Sequence, residues 1–195
     1  MSGRPTLFLI AGPNGAGKST FYETVLKSRI AAPFINADII QRDELGEPDP
    51  QASYVAAQTA AERRDALIGE RRSFVAETVF SHPSKIDLLM RARAAGFRLA
   101  VFHIHLATAD LAIERVRARV VEGGHRVPED KIRARYDRCG PLIRRAVHMA
   151  DLAGVYDGSV LNAMPRELLR LSGGVRETVS PDLPAWFLQL YGDTN

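Results

Sequence analysis

The sequence contains a single cysteine, Cys139, among 195 residues. One thiol excludes an intramolecular disulfide and any zinc cluster built from cysteines. A chain of this length buries roughly 70% of its unfolded surface, so it needs neither kind of cross-link to fold. We therefore predict that Cys139 serves as a small hydrophobic residue of the core.

Long apolar runs and aromatic residues are also scarce. No apolar run approaches about 18 residues, so no membrane-spanning helix is expected, and Leu7–Ala11 is too short for the core of a signal peptide. These absences favour a cytoplasmic protein that does not bind membranes. Phe, Trp and Tyr make up only 7% of the chain, which speaks against a surface where the bases of single-stranded nucleic acid stack.

Neither sign of charge dominates the chain as a whole. The 26 basic and 23 acidic residues leave a net charge of +3, too small by itself to indicate a nucleic-acid-binding protein. The basic excess is local, since residues 114–145 contain nine arginines and Lys131 against five acidic residues. Because arginine suits bidentate contact with phosphate, this segment is a candidate for binding phosphate groups.

Short apolar runs alternate along the chain with longer segments of helical periodicity. The predicted strands are Leu7–Ala11, Phe34–Ile35, Phe74–Ala76, Leu99–Leu106 and Ala153–Tyr156. The predicted helices lie near residues 18–29, 51–69, 85–95, 109–122 and 129–149, followed by a short one at 186–191. This alternation predicts an α/β fold with a doubly wound, mostly parallel sheet and helices on both faces. We expect one domain over residues 1–195.

Several further patterns indicate structural roles. Ser84 and Thr108 are expected to cap the third and fourth of these helices. His103 and His105 alternate along a buried strand, which predicts core or strand-end histidines rather than metal ligands. The segment Leu171–Gly174 is predicted to be the end of a strand and a turn.

The strongest motif is G-x-x-x-x-G-K-S at Gly12–Ser19, between the first predicted strand and the first predicted helix. Its glycines let backbone N–H groups close around phosphate oxygens, and the helix N-terminus adds its positive dipole end. We expect Lys18 to bridge the β- and γ-phosphates of ATP or GTP, and Ser19 to bind Mg²⁺. The motif therefore predicts a P-loop NTPase or kinase-like fold. The residues predicted to hold the nucleotide are Gly12, Asn14, Gly15, Ala16, Gly17, Lys18, Ser19, Thr20 and Arg119.

Two acidic residues, Asp38 and Glu77, directly follow predicted strands. In open α/β sheets, ligands bind beyond the carboxyl ends of the strands. A kinase needs a carboxylate near the acceptor hydroxyl, and Asp38 is predicted to be this catalytic base; the alternative is that it only caps the next helix. Glu77 is predicted to bind the acceptor or a magnesium-bound water, with a surface salt bridge as the alternative. Thr78 and His82 are further candidates for contact with the acceptor.

A basic segment follows the fourth predicted strand. Arg115 and Arg119 lie four residues apart on one helix face, where they repel each other unless an anion lies between them. Gly123-Gly124 then breaks the helix and Arg126 follows, which predicts a small basic lid around residues 119–130. Such arginines stabilise charge on a transferred phosphoryl group. The predicted catalytic residues are Lys18, Asp38, Arg115 and Arg126. The arginines expected on a solvated face are Arg133, Arg135 and Arg138.

Taken in order, these motifs resemble the zeta-toxin family of P-loop kinases in its short form. The matching segments span about residues 6–158 and are Ala11–Thr20, Ile35–Asp38, Glu77–Ser81, Ala112–Val116 and Gly123–Glu129. The resemblance implies a phosphotransferase that uses ATP or GTP, in a family that includes toxins acting on UDP-N-acetylglucosamine. It also implies an antitoxin as a possible protein partner. By position, it makes Asp38 the catalytic base, Glu77 the substrate-binding acid, and Arg115 and Arg126 the phosphate-binding arginines.

The sequence thus favours a magnesium-dependent kinase that transfers the γ-phosphate of ATP or GTP to a hydroxyl of a small acceptor. One alternative is a polynucleotide 5′-hydroxyl kinase, which the basic segment supports. Another is a nucleotide-sensing module without turnover, which would need neither Asp38 nor Glu77.

Overall fold

A seven-stranded sheet forms the centre of the computed structural model, which describes residues 3–46, 50–121 and 127–192. The strands are β1 (Thr6–Ala11), β2 (Phe34–Ile35), β3 (Phe74–Thr78), β4 (Arg98–His105), β5 (Leu152–Asp157), β6 (Arg166–Ser172) and β7 (Val175–Val179). They lie in the order β2-β3-β1-β4-β5-β6-β7. The first five in this order pair in parallel, and β6 and β7 extend the sheet antiparallel. The predicted, mostly parallel α/β sheet is confirmed.

The helices alternate with the parallel strands along the chain. They are α1 (Lys18–Phe21), α2 (Ala37–Ile40), α3 (Pro50–Gly69), α4 (Ser84–Ala94), α5 (Ala109–Val121), α6 (Glu129–Met149) and α7 (Ala185–Tyr191). The first two continue into π-helical segments at Tyr22–Leu26 and Gln41–Leu45. Sequence analysis did not predict α2, because so short a segment shows little helical periodicity. No helix within the three described ranges is long and apolar enough to cross a membrane.

Alternate residues of β1 face two different helical layers. Leu7 and Leu9 belong to a core shared with residues of α3, α4, α6 and α7. Ile10 belongs to a second core, shared with α1 and α5. All three side chains are fully buried, as expected for a central parallel strand covered on both sides. The prediction of helices on both faces of the sheet is therefore confirmed.

The antiparallel end of the sheet was predicted only in part. The strand end and turn predicted at Leu171–Gly174 are confirmed, since β6 ends at Ser172 and the next two glycines have positive φ angles. The following strand, β7, was missed. It lies at the edge of the sheet, where Val175 is mostly exposed, so it lacks the buried apolar run that marks the inner strands.

Cys139, His103 and His105 are buried in the core, as predicted. The Cys139 thiol lies inside α6, and burial raises its pKa to about 12. His103 Nδ1 lies 2.7 Å from the Tyr191 hydroxyl, and its Nε2 lies 3.2 Å from His105 Nδ1. Burial lowers the pKa of His105 to about 4, so this ring is neutral at physiological pH. The pair connects β4 to the C-terminal helix α7.

One of the two predicted helix caps is present. The Thr108 hydroxyl oxygen accepts a hydrogen bond from the N–H of Leu111 at 3.1 Å, which caps α5. The prediction for Ser84 is wrong, because this residue is already the first of α4 and Pro83 precedes it as the cap residue. The Ser84 hydroxyl instead lies 2.8 Å from His82 Nδ1.

The segment after β1 approaches the neighbouring strand β4 very closely. A Cβ atom at Gly12 would overlap the backbone oxygen of Ile104, which cannot move without breaking the sheet. We expect Gly12→Ala to destabilise the protein by about 3 kcal/mol, since overpacking against backbone is costly. Urea unfolding measures this change.

The matched control is Gly69→Ala at the end of α3, where a Cβ meets no atom within 4 Å. This variant should unfold at the same urea concentration as the wild type or higher. Equal midpoints for both variants would contradict the close approach at Gly12.

Candidate active site

The loop between β1 and α1 has the backbone shape of a phosphate-binding loop. Gly15 and Gly17 have φ angles of +74° and +82°, which residues with a Cβ rarely adopt. The Ala16 N–H donates to the Pro13 carbonyl at 3.3 Å, closing the turn. Of the predicted nucleotide-binding residues in this segment, those that line the adjoining cavity are Asn14, Gly15 and Lys18. The others (Gly12, Ala16, Gly17, Ser19 and Thr20) form the loop and the first turn of α1.

Lys18 is buried at the base of this loop. Its Nζ donates to the Pro13 carbonyl at 2.9 Å, so the ammonium group is held against the loop backbone. Burial lowers the pKa of Lys18, while the negative charges of Glu77 and Asp38 raise it. A buried ammonium group in a loop of this shape suits a phosphate oxygen as its partner.

Asn14 carries an unsatisfied polar atom in the same loop. Its side-chain Oδ1 is buried, and no hydrogen-bond partner for it is found among the described residues. Buried polar atoms nearly always have partners, so an orphan in a cavity wall is evidence for a missing ligand or water. This observation agrees with a nucleotide site at the loop.

Ser19 and Glu77 form a pair of oxygen donors beside the loop. The Ser19 hydroxyl donates to both carboxylate oxygens of Glu77, at 2.9 and 3.1 Å. Burial raises the pKa of Glu77, and the charge of Lys18 and the hydrogen bond from Ser19 oppose this effect. No ion pair to Glu77 is found among the residues described, so the alternative of a surface salt bridge is not what the structure contains.

The hydroxyl and carboxylate oxygens of Ser19 and Glu77 fit the preference of Mg²⁺ for hard ligands. Within the described residues no group of three or more His, Cys, Asp or Glu side chains is placed to hold a metal. A magnesium ion at this position would therefore take its remaining ligands from phosphate oxygens and water, as is common for Mg²⁺ in kinases.

Asp38 lies in the first turn of α2, just after β2, and its side chain lines the cavity. The residue that caps this helix is Asn36, whose Oδ1 accepts from the N–H of Asp38 at 2.8 Å. The alternative in which Asp38 only caps the helix is therefore excluded. No hydrogen bond or ion pair to the Asp38 carboxylate occurs in the described part of the chain, so its oxygens are open to a ligand.

The two other predicted acceptor contacts, Thr78 and His82, also line the cavity. The Thr78 hydroxyl oxygen accepts from the N–H of Phe80 at 3.1 Å. Phe80 has a φ of +59° although it is not glycine, and its side chain is buried. Such backbone strain costs about 1–3 kcal/mol and concentrates at functional sites. The strained turn fixes the direction in which the chain leaves β3 along the cavity wall.

The cavity has a volume of about 650 Å³ and is strongly basic. Among the described residues, its acidic lining residues are Asp38 and Glu77. Its basic lining residues are Lys18, Arg64, Lys85, Arg119, Lys131 and Arg135. Such an excess of positive charge attracts phosphate-bearing ligands.

The predicted lid arginines have different surroundings. Arg119 lines the cavity, as expected for a nucleotide contact. Arg115 does not: its guanidinium donates to the Ser159 carbonyl at 2.9 Å and to the Gly15 carbonyl at 3.5 Å. Burial lowers its pKa, and the charge of Asp157 opposes this. Arg115 thus holds the back of the phosphate loop, and its predicted catalytic role stays a prediction. Arg126 and the centre of the predicted lid, residues 122–126, lie outside the described residues.

Sequence analysis missed several residues of the cavity wall. Arg135 was expected on a solvated face, and this was wrong, whereas Arg133 and Arg138 are exposed as predicted. Lys131 and Arg135 lie four residues apart on α6, so the same spacing argument used for α5 could have found them. The others missed, Arg64 and Lys85, carry no such signal, because they look like ordinary surface charges until α3 and α4 are placed.

Comparison with known proteins supports this interpretation of the fold. The family model of the AAA domain, AAA_33, matches residues 7–142, from β1 into α6. An uncharacterized protein of Haemophilus influenzae is 29% identical over 134 residues, which cover 64% of this chain and 88% of that protein.

Two similar solved structures share the fold at low sequence identity. A chain of the AvrRxo1-ORF1:ORF2 complex with ATP has a TM-score of 0.71 and 16% identity, covering 91% of this chain. This protein spans only 61% of the length of that chain. A chain of the PezAT chromosomal toxin-antitoxin system of Streptococcus pneumoniae has a TM-score of 0.59 and 14% identity, with 80% of this chain and 68% of that chain covered.

The family match extends over more than half of the chain and includes the strand, the loop and the helix that together surround Lys18. The TM-scores of 0.71 and 0.59 show that the two neighbouring structures share the fold. This protein therefore belongs to the AAA domain family AAA_33, with a P-loop kinase-like fold.

Proposed function

We propose that this protein is a kinase that transfers the γ-phosphate of ATP, or GTP, to a hydroxyl of a small acceptor. The observation that carries the proposal is the cavity shared by the phosphate loop and Asp38. The Asp38 carboxylate, which accepts no hydrogen bond from any described residue, lines the same space as Lys18. A module that only senses nucleotide has no use for such a base, so this arrangement argues against the sensor alternative. With ATP as the donor, the cytoplasm is the compartment we propose.

The chemistry proposed for the site is an in-line displacement at the γ-phosphorus. The loop N–H groups and Lys18 hold the β- and γ-phosphates. Asp38 accepts a hydrogen bond from the acceptor hydroxyl and takes its proton as the oxygen attacks. The bond between the γ-phosphorus and the bridging oxygen breaks, ADP or GDP leaves, and the phosphorylated acceptor forms. Magnesium held by Ser19, with Glu77 beside it, would neutralise charge on the phosphate oxygens.

Among the arginines, Arg119 is the one we propose to stabilise the transferred phosphoryl group. It lines the cavity, whereas Arg115 is engaged with carbonyls of the loop and of Ser159. In this proposal Arg115 supports catalysis indirectly, by keeping the loop in shape. The predicted role of Arg126 as a second phosphate contact is retained as part of the proposed lid.

For the acceptor, we propose a UDP-activated amino sugar such as UDP-N-acetylglucosamine, and for the chain a zeta-toxin-like role with an antitoxin partner. The resemblance of the motifs supports this, and the fold shared with a chain of the PezAT toxin-antitoxin system agrees with it. Incubation with γ-labelled ATP, Mg²⁺ and a panel of UDP-sugars, other metabolites and 5′-hydroxyl oligonucleotides tests it. Label on the oligonucleotide alone would instead support the polynucleotide kinase alternative.

Replacement of the proposed base separates binding from chemistry. Asp38→Asn keeps the size of the side chain but cannot accept a proton, so we expect transfer to fall by about 10²- to 10⁴-fold. Binding of ATP should remain within about threefold of the wild type, because the loop is untouched. Initial rates of label transfer and calorimetric titration with ATP measure the two quantities.

The control for this variant is Asp43→Asn on the surface, where Asp43 pairs with Arg42 and does not line the cavity. It should transfer phosphate at the wild-type rate. Near-normal turnover by Asp38→Asn would remove Asp38 from the mechanism.

The pair of Ser19 and Glu77 predicts a magnesium-specific defect. Glu77→Gln should weaken Mg²⁺-dependent ATP binding by about 10- to 100-fold, since a carboxylate ligand is lost. The variant should be no less stable than the wild type without ligand, because the raised pKa means that the fold disfavours the charged form. Calorimetry with and without Mg²⁺, and thermal unfolding, measure these effects.

Glu70→Gln serves as the control, because Glu70 is a surface partner of Arg72. It should leave Mg²⁺ dependence unchanged. If Glu77→Gln loses the same ATP affinity with and without Mg²⁺, the proposal that Glu77 is a ligand of Mg²⁺ is contradicted.

The different positions of two arginines on α5 give a further test. Arg119→Gln should lower kcat by about 10- to 10³-fold, because charge on the phosphoryl group is less stabilised. Arg117→Gln should have little effect, since Arg117 pairs with Glu129 at 2.6 Å outside the cavity. Steady-state kinetics on both variants measures the difference. Equal losses of kcat in both variants would mean that catalysis depends on the total charge of α5 and not on a contact made by Arg119.

A further inference from the structure

Arg64 on α3 is a buried cation that forms no ion pair with any described residue. Only 7% of the residue is exposed, and it lines the cavity. No hydrogen bond or ion pair to its guanidinium is found among the described residues. The neighbouring acid, Asp65, is engaged at 2.8 Å by Arg91 on α4. A buried charge is costly unless it is paired, and no described residue forms an ion pair with Arg64, so its guanidinium is open to an anion bound in the cavity.

Lys85, near the start of α4, lines the cavity as well. The side chain is only partly exposed, and no ion pair to it occurs within the described ranges. Burial lowers the pKa of Lys85, and the positive charge of Arg64 lowers it further, so the two cations are close enough to repel each other. Two like charges lie together at one cavity wall, where an anion between them would turn the repulsion into attraction.

These two residues are separate from the cations expected to hold the nucleotide. Lys18 and Arg119, which are expected to hold the nucleotide, come from the phosphate loop and α5, and the other two cavity cations, Lys131 and Arg135, come from α6. Arg64 and Lys85 come from α3 and α4, and α3 packs on α2, which carries Asp38. Arg64 and Lys85 therefore belong to the side of the cavity that holds the proposed base, where the acceptor must bind.

We propose that Arg64 and Lys85 bind a phosphate or diphosphate group of the acceptor, so that the substrate of this kinase is an alcohol that already carries phosphate. Two adjacent cations match a group with a charge near −2, whereas a carboxylate would leave one of them unbalanced. Arg64 supplies a planar fork for two oxygens, and Lys85 supplies a point charge. The inference rests on the proposed function and assigns the residues that would hold the phosphate or diphosphate of the acceptor.

Binding of inorganic phosphate tests the site without knowledge of the acceptor. The full chain is first saturated with Mg²⁺ and the imido analogue of ATP, which fills the phosphate loop, and phosphate is then titrated calorimetrically. We expect Arg64→Gln to weaken phosphate binding by about 10- to 100-fold, since a charged hydrogen-bond donor is lost. Unchanged binding in this variant, or no binding by the wild type, would overturn the proposal.

The adjacent residue provides a matched control. Arg63 pairs with Glu44 at 2.5 Å and does not line the cavity, so Arg63→Gln removes the same charge from the next position. This variant should bind phosphate like the wild type; equal weakening in both would overturn the site. Lys85→Gln is the second variant and should weaken phosphate binding by about tenfold. In thermal unfolding without phosphate, Arg64→Gln should be at least as stable as the wild type. If Arg64 had only a structural role, the same substitution would lower the stability.

Label transfer from ATP distinguishes the sources of the anion. We expect label on UDP-N-acetylglucosamine or glycerol phosphate, but not on N-acetylglucosamine, glycerol or glycerate. Arg64→Gln should raise KM for the labelled acceptor at least tenfold and leave KM for ATP unchanged. Equal labelling of neutral alcohols, or labelling of glycerate alone, would overturn the phosphate assignment.

The two proposals fail separately. If phosphoryl transfer survives Asp38→Asn while phosphate binding depends on Arg64, the proposed mechanism is overturned and the anion site is supported. If phosphoryl transfer requires Asp38 while phosphate binding is unchanged in Arg64→Gln, only the anion site is overturned.

Discussion

The parallel pairing of β1 with β3 and β4 is the constraint on which the site depends. In this register Ile10 lies opposite Glu77, and Ala11 lies opposite both Thr78 and His103. The carboxyl ends of all three strands therefore lie at the same end of the sheet. The chain that leaves β1 must turn there, directly beside Glu77. The phosphate loop forms in this narrow space, with Gly12 against the backbone of β4. Segments far apart in the chain thus meet because parallel pairing brings the carboxyl ends of neighbouring strands together.

The site combines features that each oppose stability. Burial lowers the pKa values of Lys18 and Arg64 and raises that of Glu77, and each of these shifts favours the neutral form of the group. Phe80 has a left-handed backbone, and Asn14 has an orphan oxygen. The two apolar cores on either side of the sheet compensate for these costs. A ligand with phosphate groups would relieve several of them at once, which links the stability of the chain to occupancy of the cavity.

Local patterns predicted the elements of the fold well where the residues are buried on both sides. The run Leu7–Ala11 and the helix over residues 129–149 were placed from their own sequence, because burial leaves a periodic signature. The edge strand β7 was missed, since an exposed strand has no such signature. Helix α2 was missed because it is short, although its cap, Asn36, precedes the base predicted from sequence.

For the site, the sequence by itself determined the phosphate loop and the two acids at strand ends. These depend on local chemistry: glycines that allow positive φ, a lysine at a helix start, and carboxylates just past apolar runs. Only the tertiary structure decided which cations share a cavity with them. It placed Arg119 there and Arg115 on the loop, and it brought Arg64 and Lys85 together from two different helices. A solvated arginine and one that faces a ligand look alike in sequence, because the difference lies in what the rest of the fold packs around them.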